Sequence, residues 1–117
     1  MTDSPNPATD LVSRRCKPCE GGVPPLDRAA VAQLRKALDP AWQLSADGKW
    51  ISREFRLAGY GQTIGFVNAI AWIAESEGHH PDLEVGYGRV LCKWSTHAVD
   101  GLTENDFICA AKVDRLL

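Results

Sequence analysis

The chain has no apolar run of bilayer-spanning length, no block of like charge and no internal repeat. A transmembrane helix takes about 20 consecutive apolar residues, so a membrane-spanning role is not expected. Its 13 basic and 15 acidic residues alternate rather than cluster, which argues against a non-specific nucleic-acid or membrane-surface patch. The start, MTDSPNPATDLVSRR, lacks the basic opening and apolar core of a signal peptide and points to a cytoplasmic chain. Cysteine is scarce, and the full zinc-finger pattern, two Cys pairs or one Cys pair with a spaced His pair, is absent. Without a secretion signal, the even count of Cys16, Cys19, Cys92 and Cys109 is no argument for disulfides. Cys92 and Cys109 fall in apolar patterns and read as small buried hydrophobes.

What is present suits one domain with a modest core: 117 residues, 44% of them apolar, with four tryptophans. Residues 1–24 read as a flexible leader with CKPC, its first dozen residues polar, proline-bearing and disordered and CKPCEGGVPPL extended over the domain, and residues 25–117 as a single folded domain. Asp27 can cap a helix whose Val31, Leu34 and Leu38 share a face, with Pro40 as its stop. Asp47-Gly48 signals a hairpin into WISREFRL, where Ile51, Phe55 and Leu57 share a strand parity.

Residues 60 to 77 predict a second helix, expected to be the most buried, on a stripe of Ile64, Val67, Ile70, Ala71 and Ala74 flanked by Phe66 and Ile73. Gly78 ends it. Leu83, Val85 and Tyr87 alternate with polar or small neighbours as a half-buried strand, and Gly88-Arg89 turns into VLCKWST. Thr103 and Asp106 form a capping pair, and Phe107, Ile108, Ala111 and Leu116 line the last helix. The order helix, two strands, helix, two strands, helix predicts an α+β fold. Its four-stranded, mainly antiparallel sheet would carry the helices on one face.

All three histidines, His79, His80 and His97, fall within 19 residues and bracket one hairpin. The start of one strand and the end of its antiparallel partner lie at the same end of a hairpin, so the three imidazoles should converge. Imidazole titrates near pH ~6.5 and can give or take a proton at neutral pH. Glu75 and Glu77 sit where a helix dipole disfavours acids. A protonated His79 or His80 could compensate them, and Glu75 could orient His79. Asp106 could fix the tautomer of His97. Each carboxylate also has a plain structural reading, as a solvated surface group or, for Asp106, as a cap. A metal site is the lesser reading, because adjacent histidines on extended chain point apart.

The run Glu75, His79-His80-Pro81, Tyr87, His97 and Asp106 resembles the signature of the pterin-4a-carbinolamine dehydratases, as does Ser95-Thr96-His97. The resemblance implies dehydration of a 4a-hydroxytetrahydropterin to the quinonoid dihydropterin, without cofactor or metal, in tetrahydropterin recycling beside an aromatic amino acid hydroxylase. It implies His79 and His97 as acid/base groups and His80 as a positioning group that shares proton transfer. Glu75 and Thr96 become pterin contacts, Asp106 a support, and Tyr87 a structural residue. Many members carry a polar residue where this chain has Gly78. A homodimer or homotetramer is implied too. So is the alternative of a non-catalytic dimerisation cofactor or an accessory protein in a pterin or molybdopterin pathway. For Cys16 and Cys19, readings as plain leader thiols, as half a metal site or as a redox pair stay open, the first preferred.

Overall fold

The computed structural model describes residues 7–18 and 24–117. The elements are α1 (Pro7–Ser13), α2 (Arg28–Lys36), β1 (Gln43–Leu44), β2 (Ile51–Arg56), α3 (Tyr60–Glu77), β3 (Asp82–Val85), β4 (Arg89–Trp94) and α4 (Glu104–Asp114). A single 3₁₀ turn, His97–Val99, follows β4. The four strands form one antiparallel sheet in the order β1-β2-β4-β3, and the fold is α+β. Among the described residues no helix is long and apolar enough to cross a membrane.

The sheet's inner face follows from strand alternation. Val90, Cys92 and Trp94 are wholly buried, and opposite them in register stand Phe55, Arg53 and Ile51. Arg53 is the one charge in that row. Its guanidinium donates to Asp114 at 2.8 Å and lies over the Phe55 ring at 4.6 Å, so the charge is paired inside the core. Asp114 also accepts from the Trp42 indole N–H at 2.9 Å, which ties the end of α4 to the approach to β1.

The most buried helix is α4, not α3. Phe107 through Ala111 and Val113 are all buried, because α4 packs against α1, α2, α3 and β4 at once. On α3 the buried residues are Thr63, Phe66, Ile70 and Ala74, with Ile64 and Val67 at the margin and Trp72 72% exposed. The stripe is rotated because α3 is apolar on more than one side, and Thr63 decides the face. Its hydroxyl donates to the carbonyls of Gly59 and Tyr87, both at 2.8 Å, pinning the helix start to the β3–β4 turn. That turn also needs Gly88, since a Cβ there would sit 2.7 Å from the Leu57 carbonyl oxygen.

Two further expectations are corrected. β3 is an edge strand, and only Leu83 packs on the core, while Val85 and Tyr87 are exposed. Tyr87 instead stacks on Tyr60, ring centroids 6.2 Å apart. Part of the expected flexible leader, Pro7–Ser13, is the helix α1. α1 begins with Pro7, a residue tolerated in the first helical turn, and its Leu11 is only 2% exposed within the core cluster. Arg14 then bridges to Glu104 on α4 at 2.6 Å. Composition points to disorder, yet Leu11, with Val12 beside it, and ion pairs from Arg14 to Glu104 and from Arg15 to Glu77 dock this segment. Cys19 lies outside the described residues.

Candidate active site

α3 ends in a left-handed turn at Gly78, φ 67°, with the Gly78 and His79 N–H groups donating to the Glu75 and Ala74 carbonyls. That turn drops His79 against the sheet. Its ring stacks on Trp94, 5.5 Å between centroids and 11° between planes, and its side chain is 11% exposed. Nε2 lies 2.5 Å from Oδ1 of Asp106, a wholly buried carboxylate.

Asp106 serves two tasks. As the third residue of α4 its Oδ2 accepts from the Thr103 backbone N–H at 3.0 Å, completing the capping box. The same oxygen accepts from the Thr96 hydroxyl at 2.8 Å, and Thr103 Oγ1 lies 2.8 Å from Thr96 Oγ1. With the Thr103 N–H and the Thr96 hydroxyl both donating into the carboxylate, the consistent assignment has His79 Nε2–H donating to the other oxygen. Nδ1 is then the remaining ring nitrogen of His79.

His97 opens the 3₁₀ turn beyond β4, exposed, with its ring edge-on to Trp50 at 5.5 Å. His80 is exposed one residue past His79. All three imidazoles, with Lys17, Thr96 and Asn105, line one hollow of about 220 Å³. The convergence expected from the hairpin is therefore present, but the supporting carboxylates are arranged differently. Asp106 holds His79, not His97, because the cap of α4 faces the end of α3. Glu75 is exposed and does not line the hollow, so neither the orientation of His79 nor a contact inside the hollow comes from it. Tyr87 lies at the opposite end of β3, in the β3–β4 turn.

Nor does histidine balance the acids at the end of α3. The Glu77 side chain, 4% exposed, accepts from the Cys16 backbone N–H at 2.8 Å and from Lys112 Nζ at 2.9 Å. Burial alone would push that carboxyl up, but these donors outweigh it and hold it below the ordinary carboxylate range.

Lys17 and Asn105 were not found by sequence reasoning. The Lys17 N–H donates to Asn105 Oδ1 at 3.0 Å, and Asn105 Nδ2 donates back to the Lys17 carbonyl at 2.6 Å, so the leader peptide forms part of the wall. Contact between residues 88 apart leaves no local pattern to read. The two tryptophans under His79 and His97 were visible only as strand residues.

A larger hollow of about 710 Å³ lies between α2 and the β1–β2 turn. It contains no histidine, and its charged lining residues are Arg, Lys and Asp. The three histidines are in the smaller one. Among the described residues no group of three or more His, Cys, Asp or Glu is arranged to hold a metal ion.

Comparison with known proteins gives a consistent result. Residues 24–116 match the family described as Pterin 4 alpha carbinolamine dehydratase. A Nitrosomonas eutropha protein, provisionally named pterin-4-alpha-carbinolamine dehydratase, is 56% identical over 108 residues, covering 92% of this chain and 94% of its own. The crystal structure of a transcriptional coactivator/pterin dehydratase from Brucella melitensis superimposes with TM-score 0.75 at 30% identity, covering 79% of this chain and 97% of that one. A pterin dehydratase-like protein described as a RuBisCO assembly factor in the alpha-carboxysome gives TM-score 0.57 at 26% identity, over 65% of this chain and 88% of the other.

Proposed function

The chain belongs to the pterin 4 alpha carbinolamine dehydratase family, and on that footing we propose that it is a hydro-lyase removing water from a 4a-hydroxytetrahydropterin. The observation that carries this is three imidazoles around one hollow, one of them held by a buried carboxylate. The reaction breaks the C4a–O bond and forms a C=N bond in the ring, giving the quinonoid dihydropterin. The departing hydroxyl must gain a proton and a ring N–H must lose one, so protons balance and no redox change occurs. Acid–base groups working near their own pKa suffice for this, typically at ~10²–10⁴-fold each.

In this reading His79 and His97 are the acid/base pair. Asp106 holds His79 in the Nε2–H tautomer and supports the imidazolium when the ring takes a second proton. His97 and His80 stand at the exposed rim, where exchange with water resets their protonation. His80 also positions the heterocycle and shares proton transfer. Thr96 acts through Asp106, its hydroxyl being committed there, and Glu75 has no part inside the hollow. A hollow below the ~300–1,000 Å³ usual for larger ligands suits a small bicyclic ring with its substituent emerging.

The setting follows from the chemistry. A pterin-consuming aromatic hydroxylase in the cytoplasm would supply the carbinolamine, and a reductase would take the product. Exposed Trp72, Tyr60 and Tyr87 give a surface on which copies could associate as a dimer or tetramer. The test is to generate the 4a-hydroxypterin in situ and follow quinonoid formation spectroscopically with wild type, His79→Ala and His97→Ala. Wild type should exceed the spontaneous dehydration and the variants should fall back toward it. A wild type no faster than the uncatalysed reaction would overturn the proposal.

The carboxysome neighbour favours a second reading, a non-catalytic binding or accessory role on the same fold. A binding role predicts that histidine variants keep full function in cells while carbinolamine turnover is absent from wild type.

A further inference from the structure

We propose that Cys16 and Cys109 join in an intramolecular disulfide on oxidation, a modification site that fastens the leader to α4 beside the histidine hollow. The two sulfurs, 93 residues apart in sequence, lie 3.5 Å from each other as thiols. A disulfide bond is about 2.05 Å long, so closure asks for an approach of roughly 1.5 Å. The leader can supply it. Residues 14–18 have no regular structure and are held by side-chain and peptide bonds rather than by a helix or strand, among them Arg14 to Glu104, Arg15 to Glu77, Cys16 N–H to Glu77 and the reciprocal Lys17–Asn105 pair. Those bonds aim the Cys16 side chain at α4, while its own S–H is within 3.7 Å of the Asn105 carbonyl.

The two sulfurs differ in access. Cys16 is half-buried and Cys109 wholly buried, so an oxidant from solvent meets Cys16 first. The hydrogen bond shared with Cys16, and then burial, push the Cys109 thiol up, so it stays protonated until its neighbour has reacted. With a low-molecular-weight disulfide as oxidant, the Cys16 thiolate attacks one sulfur and releases one thiolate. Cys109 then loses its proton, attacks the Cys16 sulfur and expels the second. The protein gives up two protons and two electrons, and the small disulfide becomes two thiols. With hydrogen peroxide, Cys16 becomes a sulfenic acid with loss of one water, and Cys109 displaces a second water.

Cys92 is a built-in control: it is wholly buried under the sheet, and burial pushes its thiol to about 12. Cys19, three residues past Cys16, is the competing partner. The bond would close a long loop and hold the Lys17 peptide against the hollow. In the chain-entropy picture, such a loop should raise the melting midpoint by roughly 10 °C or more.

The experiment needs neither pterin nor turnover, so it stands apart from the dehydratase reading. Full-length folded protein is treated with oxidised glutathione or hydrogen peroxide, remaining thiols are blocked, and non-reduced peptides are mapped by mass. Expected is a Cys16–Cys109 peptide pair two hydrogens lighter, Cys92 still blocked as a thiol, and a melting rise that dithiothreitol reverses. The rise should persist in Cys19→Ser and vanish in Cys16→Ser, a half-buried site that tolerates the change better than Cys109. Cys16 found joined to Cys19, to glutathione, to a second chain, over-oxidised or unmodified overturns the proposal.

Discussion

Asp106 Oδ1 stands 2.5 Å from His79 Nε2 while Asp106 Oδ2 caps α4. One buried carboxylate thus fixes both the start of a helix and the tautomer of an imidazole. Fold and chemistry share this residue, so replacing it should disturb both in separable ways. Asp106→Asn keeps the shape but offers an amide, leaving a buried donor facing a donor. It should cost ~1–3 kcal/mol in denaturant unfolding. It should also lower kcat by about 10–10²-fold, with the pH profile of kcat/KM displaced as the His79 tautomer is freed. A profile unchanged in shape, with activity falling only as the folded fraction falls, would confine Asp106 to capping.

The three histidines should separate by burial. His80 and His97 are exposed, and surface substitutions usually stay within ~0.5 kcal/mol of wild type. His97→Gln and His80→Gln are therefore expected to melt like wild type while losing most carbinolamine turnover. His79→Ala removes a ring stacked on Trp94 and takes the imidazole partner from buried Asp106 Oδ1, so it should lose stability as well as rate. Paired melting curves and turnover assays on the three variants check this order.

Glu77 supplies a pH dependence with a definite sign. Its folded carboxyl is held below the ordinary range, so its stabilisation is fully present above the unfolded pKa and is lost as pH falls through the lower, folded one. Wild type should exceed Glu77→Gln in melting temperature at neutral pH. The gap should narrow only in the acid range, below the usual carboxylate pKa of ~4.3. A gap constant down to strongly acidic pH would mean that packing rather than charge sets the difference.

What could be read beforehand was whatever has a local period or a local cap. Strand alternation marked Val90, Cys92 and Trp94, the Thr103/Asp106 spacing marked the start of α4, and hairpin geometry brought His79, His80 and His97 together. What escaped depended on contacts between distant segments. Asp106 meets His79 rather than His97, because sequence proximity says nothing about which end of α3 abuts the cap. On α3 the expected Phe66, Ile70 and Ala74 are buried, but Thr63 joins them and Ala71 is exposed, because a helix apolar on more than one side has no unique stripe. Glu77 looked like a helix-dipole anomaly only because Lys112 and the Cys16 backbone arrive from elsewhere.

The leader shows the same limit most plainly, and it can be measured. A polar, proline-bearing stretch reads as disordered, yet Leu11 is 2% exposed in the core cluster and α1 packs on α4. Leu11→Ala should therefore destabilise the whole domain by ~2–3 kcal/mol, the low end for buried leucine because a terminal helix can settle into the gap. A free leader would give no change. Urea unfolding distinguishes the two: docking predicts a lower midpoint with the slope little altered, since the surface exposed on unfolding stays nearly constant. The variant should also loosen the Lys17–Asn105 pairing that walls the hollow, raising amide exchange across residues 14–18 before any effect appears at Trp94. An unchanged midpoint would return α1 to the status of a passive tail and remove the leader from the architecture of the site.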